Sequence, residues 1–225
     1  MKTHLTSKAL ANMIDHTLLK ADAINEQFKK LCDEANSYGF KMIAINSSPV
    51  KLCAEYLKDS PVHVGAAIGF PLGQTSIKVK AFETQDAIIN GADEIDYVIN
   101  IGELKNGNLQ YIEQEMVEIV DVCRKSNVIC KVILENCYLN DEQKINVCKI
   151  AKKIRPDFVK TSTGFGTSGA TISDIKLMKS IVGNDVKVKA AGGIRSLETA
   201  IKMIEAGAER LGTSSGIAII NEFNQ

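Results

Sequence analysis

The stretch Ile88-Ile89-Asn90-Gly91-Ala92-Asp93-Glu94-Ile95-Asp96-Tyr97-Val98-Ile99-Asn100 decides how the chain is read. Gly91 ends an apolar helical pattern, because glycine takes the left-handed conformation that closes a helix without steric cost. A strand then runs from Glu94 to Asn100. Side chains alternate across a strand, so Ile95, Tyr97 and Ile99 share one face, while Glu94, Asp96, Val98 and Asn100 share the other. The same phrase occurs around Gly39, before a strand at 41–46, and around Gly207, before a strand at 210–214.

Working outward, further short runs rich in Val and Ile lie at 62–69, 129–136, 158–163 and 186–191. Helical patterns separate them at 49–57, 112–122, 141–154 and 197–206, with Ser48 and Ser196 as expected N-caps. A short strand around Met13 to His16 brings the strands to eight. Strands alternating with helices in this number imply a (β/α)8 TIM barrel, an α/β fold, spanning 1–225 as a single domain. Without that short first strand, an open doubly wound sheet is the competing architecture.

Parity places ionisable residues on the non-helix face of four strands: Asp96, Lys131 with Glu135, Lys160, and Lys189 with Lys187. In a barrel that face is the lumen, which is ordinarily filled by Val, Ile and Leu. Charges buried there must pair with one another or do chemistry. A structural network of Asp96, Glu135 and the lysines is one reading, with Lys187 nearer the barrel bottom. The other is catalytic. Lys160 and Lys189 fall late on adjacent strands, and burial beside a second cation favours the neutral amine that attacks a carbonyl. Asp96 is then placed to move protons.

Glycine-rich turns follow these strands at Gly164, at Gly192 and Gly193, and before Ser214 and Ser215. Backbone amides at such turns hold anions, and barrels often seat a phosphate after strands seven and eight. The pattern Gly164-x-Gly166-x-x-Gly169 imitates a dinucleotide fingerprint, but the next strand ends without the acid that would hold a ribose. His4, His16 and His63 have no metal-ligand spacing, so no metal and no cofactor is expected. With 27 basic and 27 acidic residues the formal net charge is zero, which argues against a nucleic-acid partner. No apolar run is long enough for a membrane, and residues 1–10 do not read as a secretory signal. Six cysteines without a C-x-x-C pair read as reduced core thiols in a cytoplasmic protein.

The chain resembles the deoxyribose-phosphate aldolase family over nearly its whole length. The runs that carry the resemblance are Ile14 to Lys20, Gly65 to Gly73, Gly91 to Gly102, Lys131 to Glu135, Phe158 to Gly164 and Val188 to Arg195, in order. The resemblance implies a class I, metal-independent aldolase in which Lys160 forms the Schiff base and Asp96 and Lys189 relay protons. Gly164, Gly192, Gly193, Ser214 and Ser215 would hold the substrate phosphate, and Asp15, Thr17 and Lys131 would line the pocket. It further implies reversible cleavage of 2-deoxy-D-ribose 5-phosphate to acetaldehyde and D-glyceraldehyde 3-phosphate, in deoxynucleoside breakdown, by a homo-oligomer (dimer or tetramer). Ala44 departs from a cysteine found in many members. Phe165 stands where one branch has a cation, and the final residues lack the C-terminal Tyr of longer members. A different phosphosugar barrel, or a silent barrel that only binds a phosphorylated metabolite, remains open on sequence grounds.

Overall fold

The computed structural model describes residues 5–225. The strands are β1 (Ile14–Thr17), β2 (Met42–Asn46), β3 (His63–Ile68), β4 (Glu94–Val98), β5 (Ile129–Ile133), β6 (Phe158–Lys160), β7 (Lys187–Ala191) and β8 (Arg210–Thr213). The helices are α1 (Ser7–Ala11), α2 (Asn25–Tyr38), α3 (Val50–Tyr56), α4 (Ile77–Ile89), α5 (Ile101–Lys105), α6 (Leu109–Lys125), α7 (Asp141–Ile154), α8 (Ile172–Val182), α9 (Leu197–Glu205) and α10 (Gly216–Phe223). Each strand pairs in parallel with the next, and β1 pairs with β8 to close the barrel. The short first strand therefore rules out the open sheet: Ile14 lies opposite Leu211 and Asp15 opposite Gly212.

The helix-facing layer is apolar as the alternation requires. Ile95, Tyr97, Val132, Val159, Val188 and Leu211 are completely buried beneath the helices. At about 25 cal/mol per Å2 this layer is the main source of stability, and it leaves the lumen free for other work. Gly39 has φ 66° and caps α2, the left-handed turn its position implies.

Several expected boundaries shift for local reasons. Ser48 does not cap α3; Pro49 takes the N-cap position without a side-chain bond, whereas Ser196 does accept from Thr199 N–H at 3.3 Å. β4 stops at Val98 because the Asn100 side chain accepts from Glu103 N–H at 3.2 Å and starts α5. β5 stops at Ile133, and Glu135 adopts φ 55°, which ends the strand parity used to place it in the lumen.

Of the three histidines, His4 lies outside the described residues. His16 faces α2 and meets Glu34 at 2.9 Å, and His63 meets Glu94 at 2.7 Å. No group of three or more metal-ligating side chains occurs among the described residues, and no helix there is long and apolar enough to cross a membrane. All six cysteines are free thiols, and all but Cys137 are buried.

Candidate active site

Strand pairing sets three cations in one row. Lys160 at the end of β6 lies opposite Lys189 in the middle of β7, which lies opposite Arg210 at the start of β8. Barrel strands tilt by about 36° to the axis, so such a row descends from the C-terminal mouth toward the bottom. Lys131 on β5 joins them, in register with Asp96. The opposing carboxylates come from the other strands: Asp15 on β1, and Glu94 and Asp96 on β4. All seven residues are at most 5% exposed.

Their contacts are unequal. Arg210 reaches Asp15 at 2.7 Å and Glu94 at 3.3 Å. Lys131 reaches Glu94 at 2.6 Å and Asp96 at 2.5 Å. Lys189 pairs with Asp15 and reaches Asp96 Oδ2 at 2.7 Å. Lys160 has only Asp96 Oδ2, also at 2.7 Å, an oxygen it shares with Lys189. The two lysine nitrogens are therefore no further apart than twice that distance. Four cations face three carboxylates, and Lys160 has the smallest share of negative charge.

That inequality selects the amine that loses its proton. Burial pushes the Lys160 ammonium down, Asp96 pulls it back, and Lys189 and Lys131 push it down again, leaving it at about 8. Lys131 goes the other way: burial opposes its charge, but Asp96, Glu94 and Asp15 together raise it. Burial alone would raise Asp96, yet Lys131, Lys160 and Lys189 hold it well below the usual carboxylate range. One amine near neutrality thus stands beside a carboxylate that stays ionised.

The amine opens into a cavity of about 300 Å3 at the C-terminal mouth. Lys160 lies on its floor, and it is the one member of the buried cluster that lines it. Thr17, Gly164, Gly192, Gly193 and Ser214 line the walls. Gly192 and Gly193 both have positive φ, 84° and 78°, and an added Cβ on Gly192 would come within 2.9 Å of Gly169. Lys20 after β1 and Arg195 after β7 bring two cations to the rim, on either side of these turns, and no Asp or Glu lines the cavity. Neither rim cation makes an ion pair among the described residues. A cleft with three cations and no acid attracts anions.

Most sequence-derived positions meet here, with four corrections of place. Asp15 and Lys131 are fully buried beneath the cavity and do not line it. Ser215 stands behind Ser214 at the N-cap of α10, its N–H donated to Thr213 Oγ1 at 2.9 Å. Glu135 is absent from the cluster: its carboxylate accepts from Thr163 N–H at 3.2 Å and bonds the Thr163 hydroxyl. Lys187, by contrast, is where its place two residues before Lys189 led it to be expected, exposed at the bottom rim over the Phe158 ring at 5.5 Å. Arg210, Lys20 and the pairing of Glu94 were not singled out from sequence. Extending the parity argument to β8 would have found Arg210, since Leu211 beside it faces the helices.

The family model for DeoC/LacD family aldolases matches residues 9–222. The chain belongs to this aldolase family. Among its relatives, the deoxyribose-phosphate aldolase of Lactobacillus acidophilus is 57% identical over 93% of this chain and 88% of its own length. That of Bacteroides thetaiotaomicron is 53% identical over 99% and 93%. The tetrameric deoxyribose phosphate aldolase structure from Aeropyrum pernix superposes with a TM-score of 0.91 at 31% identity, over 98% of this chain and 93% of that one. The buried lysine cluster thus lies in an aldolase barrel.

A lowered amine in this aldolase has a signed consequence. Below about pH 8 the neutral fraction of Lys160 rises about tenfold per pH unit. Borohydride trapping of acetaldehyde on the protein should therefore climb with pH and level off just above 8; a rise continuing unbroken to 10 contradicts the assignment. Because the folded state releases this proton earlier than the unfolded chain, the group also makes the fold more stable as pH rises from 8 toward the ordinary lysine value.

Proposed function

We propose that this protein cleaves 2-deoxy-D-ribose 5-phosphate reversibly to acetaldehyde and D-glyceraldehyde 3-phosphate through a Schiff base on Lys160. The observation that carries this reading is the isolation of Lys160: alone in the cluster it has a single carboxylate partner, and alone it faces the cavity. Its neutral Nζ attacks C1 of the open-chain sugar, the Lys189 ammonium hands a proton to the departing hydroxyl, and loss of water leaves a protonated imine. Asp96 takes the proton of the C3 hydroxyl through a water and passes it to the Lys189 amine, which shares its 2.7 Å contact. The C2–C3 electron pair moves into the imine, releasing glyceraldehyde 3-phosphate and leaving an enamine on Lys160. Protonation at C2 and hydrolysis then release acetaldehyde and restore the amine. Neither metal nor cofactor takes part, so activity should survive chelators.

In this reading the phosphate sits against the amides at Gly164, Gly192, Gly193 and Ser214, while the Ser215 N–H stays bonded to Thr213 Oγ1. Arg195 and Lys20 supply the charge that Phe165 does not; its ring is 56% exposed and packs edge-on against Phe70. Thr17 borders the sugar, while Asp15 and Lys131 hold the cluster from below. Charge-assisted hydrogen bonds to phosphate contribute about 1.5–3 kcal/mol. The double variant Lys20→Met with Arg195→Met should raise KM for the phosphorylated sugar by about 10- to 100-fold or more, with kcat changing far less. An unchanged KM would move the phosphate elsewhere.

The deciding assay is release of acetaldehyde from 2-deoxy-D-ribose 5-phosphate by the folded protein; no release overturns the reading. The partners are small phosphosugars and aldehydes, not nucleic acid or membrane, and residues 1–225 work as one domain. Free, mostly buried thiols support a cytoplasmic setting. Homo-oligomerisation is supported by exposed Val79, Phe82 and Ile89 on α4, and by the tetramer described for the Aeropyrum pernix relative.

A further inference from the structure

Below Lys160 lies a second tier that touches no part of the cavity. Arg210 binds Asp15 at 2.7 Å and Glu94 at 3.3 Å, and stacks over the Phe158 ring at 5.2 Å. Glu94 also takes His63 at 2.7 Å, and Lys41 Nζ approaches His63 Nε2 at 3.1 Å from the barrel bottom. Each of these carboxylates already serves an upper lysine: Asp15 serves Lys189, and Glu94 serves Lys131. Arg210 therefore draws on the same negative charge as the lysines above it.

We propose that Arg210 is a positioning residue for the aldol reaction: by engaging Asp15 and Glu94 from below, it leaves the lysine tier short of one negative charge, and Lys160 meets the shortfall by giving up its proton. Without Arg210, three lysines would face three carboxylates, and every ammonium could be compensated. With it, one cation is surplus. Lys189 and Lys131 each keep two carboxylate partners, so the surplus falls on Lys160, which has only the oxygen it shares.

The magnitude follows from the register. Arg210 lies two strands from Lys160 through Lys189, on the order of 10 Å at the spacing of parallel strands. A unit charge at that distance, with an effective dielectric of about 20, moves a proton equilibrium by about one pH unit. The groups facing Lys160 are Asp96, Lys131 and Lys189. Those facing Arg210 are Asp15 and Glu94, with His63 and Lys41 behind Glu94. None of these is exchanged for another charge when Arg210 alone is replaced.

This inference rests on Lys160 being the imine-forming amine, and the test separates the two claims. Acetaldehyde and borohydride are applied across pH 6 to 10, the labelled residue is located by peptide mass, and the pH of half-maximal labelling is read. In the unaltered protein, labelling at Lys160 tests the underlying reading alone. Arg210→Gln should move the half-maximum upward by about one unit, slow labelling at pH 7 about tenfold, and recover at high pH. Arg210→Lys, which also breaks the guanidinium geometry but keeps the charge, should stay near the original value. Glu94→Gln should move it downward and speed labelling at pH 7, the opposite sign. A half-maximum unmoved by Arg210→Gln, or moved the same way by Arg210→Gln and Glu94→Gln, overturns the proposal. If the Arg210 variants do not fold, a Glu94→Gln half-maximum that fails to fall overturns it equally.

Discussion

Lys160→Met should abolish acetaldehyde release, lowering turnover by at least about 10^4-fold, while the protein melts at the same temperature or higher. The catalytic half follows because no other amine of the cluster opens into the cavity. Without a nucleophile there is no electron sink for breaking the carbon–carbon bond. The stability half follows from the charge count. Lys160 is the surplus cation, buried at some cost, and its removal leaves Asp96 still bonded to Lys131 and Lys189. Replacing a poorly compensated buried charge by an apolar side chain of similar volume is neutral or stabilising. Turnover and a thermal melt on the same sample check both. Residual turnover within a hundredfold of the parent would assign the imine to another residue.

Asp96→Asn has a different signature, loss of turnover together with loss of stability. General acid–base groups contribute about 10^2–10^4-fold, so turnover should fall within that range. Its carboxylate also touches Lys131, Lys160 and Lys189 at 2.5–2.7 Å. Neutralising it leaves four cations against two carboxylates, and breaking a buried pair costs about 3–5 kcal/mol. For a chain of this length that is a drop of roughly 10 °C in melting temperature. Labelling of Lys160 by acetaldehyde and borohydride at pH 7 should nonetheless persist or quicken, because the carboxylate that holds the ammonium is gone. Unchanged turnover would place the proton work elsewhere.

The alternation that sorted side chains into two faces was reliable wherever the backbone stayed extended. It placed Asp96, Lys131, Lys160 and Lys189 in the lumen, where the structure has them in contact. It failed at Glu135, because the chain turns left-handed there and a residue after the turn no longer follows strand parity. It stopped short of Arg210 and of the partners of Glu94, because it was applied to single strands and not across them. Ser48 illustrates a smaller limit: a serine before Pro49 has the composition of a cap, but the helix starts one residue later.

What the sequence determined by itself was local in origin: the order of strands and helices, the apolar outer layer, and, where the backbone stays extended, which lysines and acids face inward. These follow from periodicity and from glycine at helix ends, properties set by neighbours along the chain. What only the tertiary structure decided was the sharing of charge. Arg210 and Asp15 are 195 positions apart, and Lys189 and Asp96 are 93 apart. Their contacts depend on barrel closure and strand register, which bring distant residues to one depth. Coulomb energy falls with distance and rises with burial. Which lysine becomes the reactive amine is therefore a property of the closed barrel rather than of any one strand.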